Sequence, residues 1–254
     1  MREPRSNVKL QLERSELPLV SGAEALKMGL QSKIGTIMPL KLVIANKAYS
    51  SWSLRPWILM THFNIPFEEV VIPLAHADTR EKLSAYSPSG KAPALVDGDV
   101  AIWESLAIIE YLAEKYPRKP IWPQTRPARA HARALAAEMH AGFQPLRVHL
   151  PTNFRRAVRP RELTPEAAND VARIEAAWAA ARHRFGRGGP FLFGGFCAAD
   201  AMFAPVVNRL HIYAVDVAPP TRAYMDAIIA LPAWQQWEKG AFAEEWRIER
   251  FEDI

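Results

Sequence analysis

The 254-residue sequence lacks the features that several classes of protein require. Its one cysteine, Cys197, excludes an internal disulfide framework and any cysteine pair for metal or redox chemistry. Its apolar runs fall short of the roughly 18–20 residues of a membrane-spanning helix, so we expect no membrane association. The seven histidines follow neither the HxxxH nor the HExxH spacing, so we also expect no metal site.

Two motifs that would indicate other enzymes are missing as well. The sequence contains no GxGxxG run, which argues against a dinucleotide-binding enzyme. It contains no GxSxG run, which argues against a serine hydrolase of the α/β type.

The net charge of +5 is unevenly distributed along the chain. Twelve arginines and no lysine lie within residues 126–187, and such clustered cations could attract the phosphates of a nucleic acid. These arginines alternate with acids and alanines at helical spacing, without the aromatic or zinc-finger patterns of nucleic-acid readers. We therefore expect a solvated helix face and no nucleic-acid partner.

Residues 1–38 show no sustained periodicity. The segment carries four glutamates and no apolar stretch of the kind that a signal peptide needs, so nothing in it indicates secretion. We expect a disordered extension, or a product of an upstream start codon, on a cytoplasmic protein.

The pattern becomes regular from Leu40 onward. Apolar runs and an Asp-Gly-Asp turn predict strands at 40–45, 67–72, 94–96 and 100–102, and helical periodicity predicts helices at 52–63, 79–85 and 104–116. After a proline-containing linker, the periodicity predicts helices at 126–148, 165–185, 198–214, 219–230 and 233–245. The fold class is therefore α/β followed by all-α, with a mixed domain at 39–118 and a helical domain at 125–254.

Three motifs in this order resemble the glutathione S-transferase superfamily over about residues 40–245. YSSWSLR at residues 49–55 is similar to the serine signature of the zeta class, at the end of the first strand and the start of the first helix. KAPAL at 91–95 resembles the family's cis-proline loop. ESLAIIEYL at 104–112 resembles the Glu-Ser-x-Ala-Ile sequence with which a helix of the family begins. The resemblance implies a thioredoxin-like domain, a helical substrate domain and use of glutathione.

The thiol-activating residue that this resemblance implies is a serine. A thiol with a pKa near 8.5 is mostly protonated at neutral pH, and lowering that pKa by two units takes about 2.7 kcal/mol. A hydroxyl hydrogen bond to the charged sulfur contributes about 1.5–3 kcal/mol, and a helix N-terminus contributes about 0.3–2 kcal/mol. Counting back from Arg55 by the zeta pattern gives Ser50, and a theta-like spacing gives Ser51. We favour Ser50, with Ser51 as a supporting donor. Either serine could instead be a plain helix cap.

The resemblance also implies how the rest of glutathione binds. Ser105, with its backbone N–H groups, and Glu104 would receive the carboxylate and ammonium of the γ-glutamyl end. The backbone of Ala92, before Pro93, would pair with the cysteinyl backbone. The ammonium of Lys91 could meet the glycyl carboxylate, or it could be a solvated loop cation.

Two positions differ from the zeta pattern. Trp52 stands where the zeta motif has cysteine, and counting places Ile212 where zeta isomerases have an arginine for the substrate carboxylate, with Arg209 three residues earlier.

Cys197 and Asp200 form a capping box in which cysteine replaces the usual hydroxyl, which indicates a structural cysteine.

The resulting expectation is a homodimeric glutathione transferase with a role in detoxification. Glutathione is its co-substrate, and a small-molecule electrophile is the second substrate. The alternatives are a glutathione-dependent cis–trans isomerase of the maleylacetoacetate type and a non-catalytic binding module of the same fold.

Overall fold

Four strands form one mixed sheet with β1 near its centre. The computed structural model describes residues 39–252. The strands are β1 Leu40–Ile44, β2 Phe67–Val71, β3 Ala94–Asp97 and β4 Val100–Trp103, in the order β2-β1-β3-β4. β1 is parallel to β2 and antiparallel to β3, and β3 turns back into β4 through Gly98, whose φ is +62°. The predicted strands and hairpin are confirmed.

Helices connect the strands of the sheet, and further helices make up most of the described chain that follows it. Those connected to the sheet are α1 Ser51–His62, α2 Thr79–Ser84 and α3 Ser105–Lys115. Those that follow are α4 Arg126–Ala141, α5 Gln144–His149, α6 Pro165–Phe185, α7 Ala198–Ile212, α8 Pro219–Ile229 and α9 Pro232–Ala243, and a short 3-10 turn spans Glu249–Phe251. The predicted thioredoxin-like fold followed by a helical part is confirmed.

The two faces of β1 are buried against different helices. Leu42 and Ile44 belong to the main core, whereas Val43 packs on the opposite face with Ile72 and Leu83. Successive side chains of a strand point to opposite faces, so the apolar run that predicted this strand indicates burial on both sides.

Helix α1 is buried along most of its length. Nine of its twelve residues are buried, and it packs against α7 of the helical part. The Trp57 ring lies 5.1 Å from the Trp237 ring of α9. A helix that is apolar around its circumference needs neighbours on every side. This packing holds the N-terminus of α1 in a defined position between the sheet and the helical part.

The prediction of one helix over 126–148 is wrong. Helix α4 ends before Gly142, whose N–H donates to Glu138 O at 2.8 Å. Phe143 then adopts a left-handed backbone with φ 62°, and Pro145 lies in the first turn of α5. Because proline has no N–H and disfavours helix for the residue before it, the chain turns here and starts a new helix.

The predicted capping interaction at Cys197 is present at the start of α7. Asp200 Oδ2 accepts from Cys197 N at 2.9 Å, and Oδ1 accepts from Leu192 N at 3.1 Å. Burial raises the pKa of Asp200 to about 6 and raises the pKa of the Cys197 thiol well above its ordinary value. A buried thiol of this kind is structural, because the reactive form of cysteine is the thiolate.

Two further expectations from the sequence concern the N-terminal extension and membrane-spanning helices. The predicted disordered extension at 1–38 lies outside the described residues. Among residues 39–252, no helix is long and apolar enough to cross a membrane.

Candidate active site

The turn between β1 and α1 is closed by Ser50. The Ser50 N–H donates to Asn46 O at 2.8 Å, and its hydroxyl accepts from Ser53 N at 3.3 Å, as a helix N-cap does. The same hydroxyl donates to Ser53 Oγ at 2.8 Å, and Ser53 Oγ in turn accepts from Ala45 N at 3.0 Å. Both the lone pair and the proton of Ser50 are therefore used within the turn.

The next two residues offer free hydrogen-bond donors. The Ser51 N–H donates to Tyr49 O at 3.0 Å, but the Ser51 hydroxyl has no hydrogen-bond partner in the described part of the chain. The backbone N–H of Trp52 likewise has none within residues 39–252. Both groups lie in the first turn of α1, where the unpaired N–H groups and the helix dipole favour a negative charge.

Ser50, Ser51 and Trp52 line a cavity of about 620 Å³. Its other walls come from the segment 74–92, from α5 and α7 with the loop between α5 and α6, and from the C-terminal residues Arg250 and Phe251. None of the described residues that line this cavity is acidic. The cavity can therefore hold an anionic sulfur next to the start of α1.

A smaller pocket of about 170 Å³ adjoins it. Trp52, Ser89, Lys91 and Ala92 line both spaces, and Pro93 and Glu104 line the smaller one alone. The peptide bond between Ala92 and Pro93 is cis. The N–H and C=O of Ala92 make no hydrogen bond to any other described residue. Free backbone groups of this kind can pair with an extended peptide.

Glu104 and Ser105 lie at the start of α3 and differ in exposure. Glu104 is exposed, has a left-handed backbone with φ 70°, and places Oε2 3.6 Å from His140 Nε2 of α4. Ser105 is fully buried, lines neither cavity, and its hydroxyl has no partner among residues 39–252. Of the seven residues that sequence reasoning selects, six line the two cavities and Ser105 does not.

The helical part contributes two arginines that the motifs do not identify as a pair. Arg147 of α5 and Arg209 of α7 both line the larger cavity. Burial lowers the pKa of Arg147, and burial with the nearby charge of Arg147 lowers the pKa of Arg209 to about 9. Ile212, the position reached by counting, is buried in the core instead. Arg209 and Ile212 lie within one turn of α7, and of the two only Arg209 lines the cavity.

Tyr49 precedes the serines and is engaged by the C-terminal segment. Its hydroxyl donates to Glu252 Oε1 and accepts from Arg155 Nη2 and from the Ile248 N–H. Burial and the hydrogen bond to Glu252 raise the pKa of Tyr49. This hydroxyl therefore anchors the segment that carries Phe251 over the cavity, a long-range contact that no local motif indicates.

Comparison with known proteins identifies both parts of the chain. The model of the glutathione S-transferase N-terminal domain matches residues 49–115, and that of the C-terminal domain matches residues 126–240. A solved glutathione transferase homologue from Burkholderia, with bound glutathione, is 25% identical with a TM-score of 0.61, and the match covers 81% of this chain and 99% of that one.

Curated relatives include zeta-type proteins. The chain is 42% identical over 98 residues to "Probable maleylacetoacetate isomerase" of Caenorhabditis elegans, covering 38% of this chain and less than half, 45%, of that protein. It is 27% identical over 203 residues to "Glutathione S-transferase Z2" of Arabidopsis thaliana, covering 74% of this chain and 88% of that protein. With both domain models matched in order, this chain belongs to the glutathione S-transferase family.

Proposed function

We propose that the protein is a glutathione transferase that joins the sulfur of glutathione to small electrophiles. The observation that carries this proposal is the pair of free donors at the start of α1, the Ser51 hydroxyl and the Trp52 N–H, beside a cavity without acidic lining. Together they can supply the ~2.7 kcal/mol needed to lower a thiol pKa by two units. The thiol proton leaves to solvent. The thiolate then forms a carbon–sulfur bond in one of two ways: a leaving group departs with its electron pair, or the sulfur adds to a double bond and the other carbon takes up a proton from solvent.

The contacts favour Ser51 as the hydroxyl that donates to the thiolate. Ser50 is favoured by the zeta spacing, but its proton is directed at Ser53 Oγ and its lone pair at Ser53 N. Ser51 is 6% exposed and its hydroxyl is free within the described chain. We therefore assign thiolate stabilisation to Ser51 and closure of the turn to Ser50.

The remaining predicted residues suit the two ends of the tripeptide. The free backbone groups of Ala92, held before Pro93, can pair with the cysteinyl residue. Glu104 can receive the γ-glutamyl ammonium, whereas Ser105, which is fully buried and lines neither cavity, has no support from the geometry for the carboxylate role predicted for it. Lys91, which is exposed and lines both cavities, can meet a carboxylate of the tripeptide from either side: the glycyl one in the larger cavity or the γ-glutamyl one in the smaller.

A second candidate function is glutathione-dependent cis–trans isomerisation. Arg209 and Arg147 line the larger cavity, and Asp170, whose charge acts on Arg147, is not among its lining residues. The two arginines can therefore bind a carboxylate of the second substrate. In this proposal they take the role that counting assigned to Ile212, which is in the core. Isomerisation of maleylacetone without consumption of glutathione distinguishes this function from conjugation.

We further propose that the protein is a homodimer. The edge strand β4 exposes Val100 and Trp103, which are 44% and 42% accessible. Apolar side chains on an unpaired edge strand favour association. Light scattering that gives the mass of a single chain at all concentrations tested would contradict this.

Retention on immobilised glutathione, combined with turnover of an aryl halide, tests the main proposal. We expect both retention and formation of a thioether. Retention without turnover of the aryl halide or of maleylacetone would instead favour a non-catalytic binding module. Absence of retention and turnover would refute glutathione use.

A further inference from the structure

Trp52 is the shared wall between the two cavities of the site. Its side chain is half-buried, and it lines both the space of about 620 Å³ and the pocket of about 170 Å³. The other residues common to both spaces come from the loop that contains Ser89, Lys91 and Ala92. Trp52 is therefore the one helix-borne side chain among the described residues that borders both spaces.

Three neighbours from three helices hold the indole. The Arg55 guanidinium carbon of α1 lies 4.1 Å from the ring centroid, and that of Arg147 of α5 lies 4.8 Å from it. The His140 ring of α4 contacts the indole edge-on at 5.3 Å. Cations over an aromatic ring are attracted by its quadrupole, most strongly when they are desolvated. The ring is therefore positioned before any ligand enters.

The Arg55 guanidinium has few contacts other than the Trp52 ring. It is fully buried, and its Nε donates to Met202 O at 3.2 Å. Its Nη1 and Nη2 have no hydrogen-bond partner within residues 39–252. Burial, followed by the nearby charges of Arg147 and Arg209, lowers its pKa. Besides the Met202 carbonyl, the indole of Trp52 is therefore a contact of this buried guanidinium, 4.1 Å from the ring centroid.

The chemistry of the smaller pocket suits one zwitterionic, amino-acid-sized group. Its volume of about 170 Å³ corresponds to roughly six water molecules, which is too little for a whole tripeptide. It offers the Glu104 carboxylate, the Lys91 ammonium and the free backbone of Ala92 as polar groups. Its apolar surface comes mainly from Trp52 and Pro93. A γ-glutamyl group has an ammonium, a carboxylate and a methylene stem, which match these features.

We propose that Trp52 determines which thiol the enzyme accepts, by closing the smaller pocket around the γ-glutamyl group of glutathione. The inference rests on the proposed transferase function and assigns a specificity role to a residue that differs from the zeta pattern. Trp52 contacts the substrate stem through its ring, while the charged groups of the pocket hold the ends of that stem. Thiols that lack the γ-glutamyl group gain nothing from the indole and are used less well.

The test compares glutathione with cysteinylglycine, which keeps the thiol and the glycyl end but lacks the γ-glutamyl group. Initial rates with one aryl halide give kcat/KM for each thiol after subtraction of the uncatalysed reaction. For Trp52→Ala, we expect kcat/KM for glutathione to fall about tenfold, equivalent to about 1.4 kcal/mol. The value for cysteinylglycine should stay within about twofold, because this thiol has no γ-glutamyl group to place against the ring in the smaller pocket.

Trp52→Phe and Trp122→Phe complete the comparison. Trp52→Phe keeps an aromatic wall and should lower the glutathione preference by an intermediate factor, and it decides the question if the alanine variant does not fold. Trp122 is a matched control: it is a buried tryptophan with an arginine, Arg133, 5.4 Å from its ring, and it lines neither cavity of the site. Trp122→Phe should leave the preference unchanged.

The outcomes separate this inference from the proposed function. An equal fall for both thiols, or no fall for glutathione, in the folded Trp52 variants overturns the specificity role while the transferase function stands. If the wild-type protein neither binds glutathione in calorimetry nor conjugates it, the proposed function fails and this inference fails with it. A fall confined to glutathione supports both.

Discussion

Ser51→Ala removes a side-chain hydroxyl at the start of α1 that has no hydrogen-bond partner among residues 39–252. A hydrogen bond from a hydroxyl to a charged partner contributes about 1.5–3 kcal/mol, which equals about one to two units of thiol pKa. Ser51 is 6% exposed, so solvent screens this contribution little. The Trp52 N–H and the helix dipole remain in the variant. We therefore expect the pKa of bound glutathione to rise by about one to two units but to stay below that of free glutathione.

The matched variants are Ser50→Ala and Ser51→Thr. Ser50→Ala removes the hydroxyl that accepts from Ser53 N and should cost about 1 kcal/mol of stability, with little change in the thiol pKa. Ser51→Thr keeps a hydroxyl at the same position and should retain a low thiol pKa. Ultraviolet absorbance of the thiolate, titrated against pH with glutathione bound, measures all three.

The pH dependence of kcat/KM provides an independent measurement. Because the thiolate is the reactive form, the Ser51→Ala rate should fall most at low pH and approach the wild-type rate above the raised pKa. A raised thiol pKa in Ser50→Ala but not in Ser51→Ala would refute the assignment to Ser51. An unchanged pKa in both variants would refute activation by a hydroxyl.

Three further predictions concern other buried groups. Arg209→Met should lower kcat/KM for chlorodinitrobenzoate by about tenfold or more, through loss of a charge-assisted hydrogen bond, while its methyl ester reacts nearly as before; equal losses for acid and ester would contradict this. The raised pKa of Asp200, about 6 against 3.8, means that its contribution favours the folded state at low pH and is lost as pH rises from 3.8 through about 6. Asp200→Asn should therefore weaken the pH dependence of the melting temperature in that window, and an unaltered profile would count against a buried ionisable Asp200. Cys197, 3% exposed, should react with iodoacetamide only after unfolding, and rapid labelling of the native protein would disprove its burial.

Local sequence patterns predicted the elements of the sheet and most of the helices. The apolar run from Leu40 and the turn around Gly98 predict strands because pleated strands and two-residue turns have strong local signatures. The break at Gly142 and Phe143 escaped the prediction because the helical spacing of apolar residues, here Met139, Phe143 and Leu146, continues across it. Its signals, a glycine and the later Pro145, are local but were outweighed by that periodicity.

The residues of the candidate site also fall into two groups, those that the sequence indicates and those that only the structure brings to the site. The serine run at 49–55, the Ala92 loop and Glu104 could be found from the sequence as candidates, since each of these groups lies within a few neighbouring residues. The roles of Ser50 and Ser51 could not be separated, because that depends on where the Ser50 proton is directed in the folded turn. Arg209 could not be preferred to Ile212 by counting, since the direction of a side chain from α7 depends on how that helix packs.

By itself, the sequence determined the order of the secondary structure, the family and the candidate segments for glutathione binding, because these depend on residue type and on spacing over short distances. The tertiary structure alone decided that Arg147 and Arg209 share a cavity with the serines and that Trp52 borders both of its spaces. It also decided that Tyr49 is bound by Glu252, about two hundred positions away in the chain. Contacts between distant segments are set by packing of whole helices, and no local pattern of residues records them.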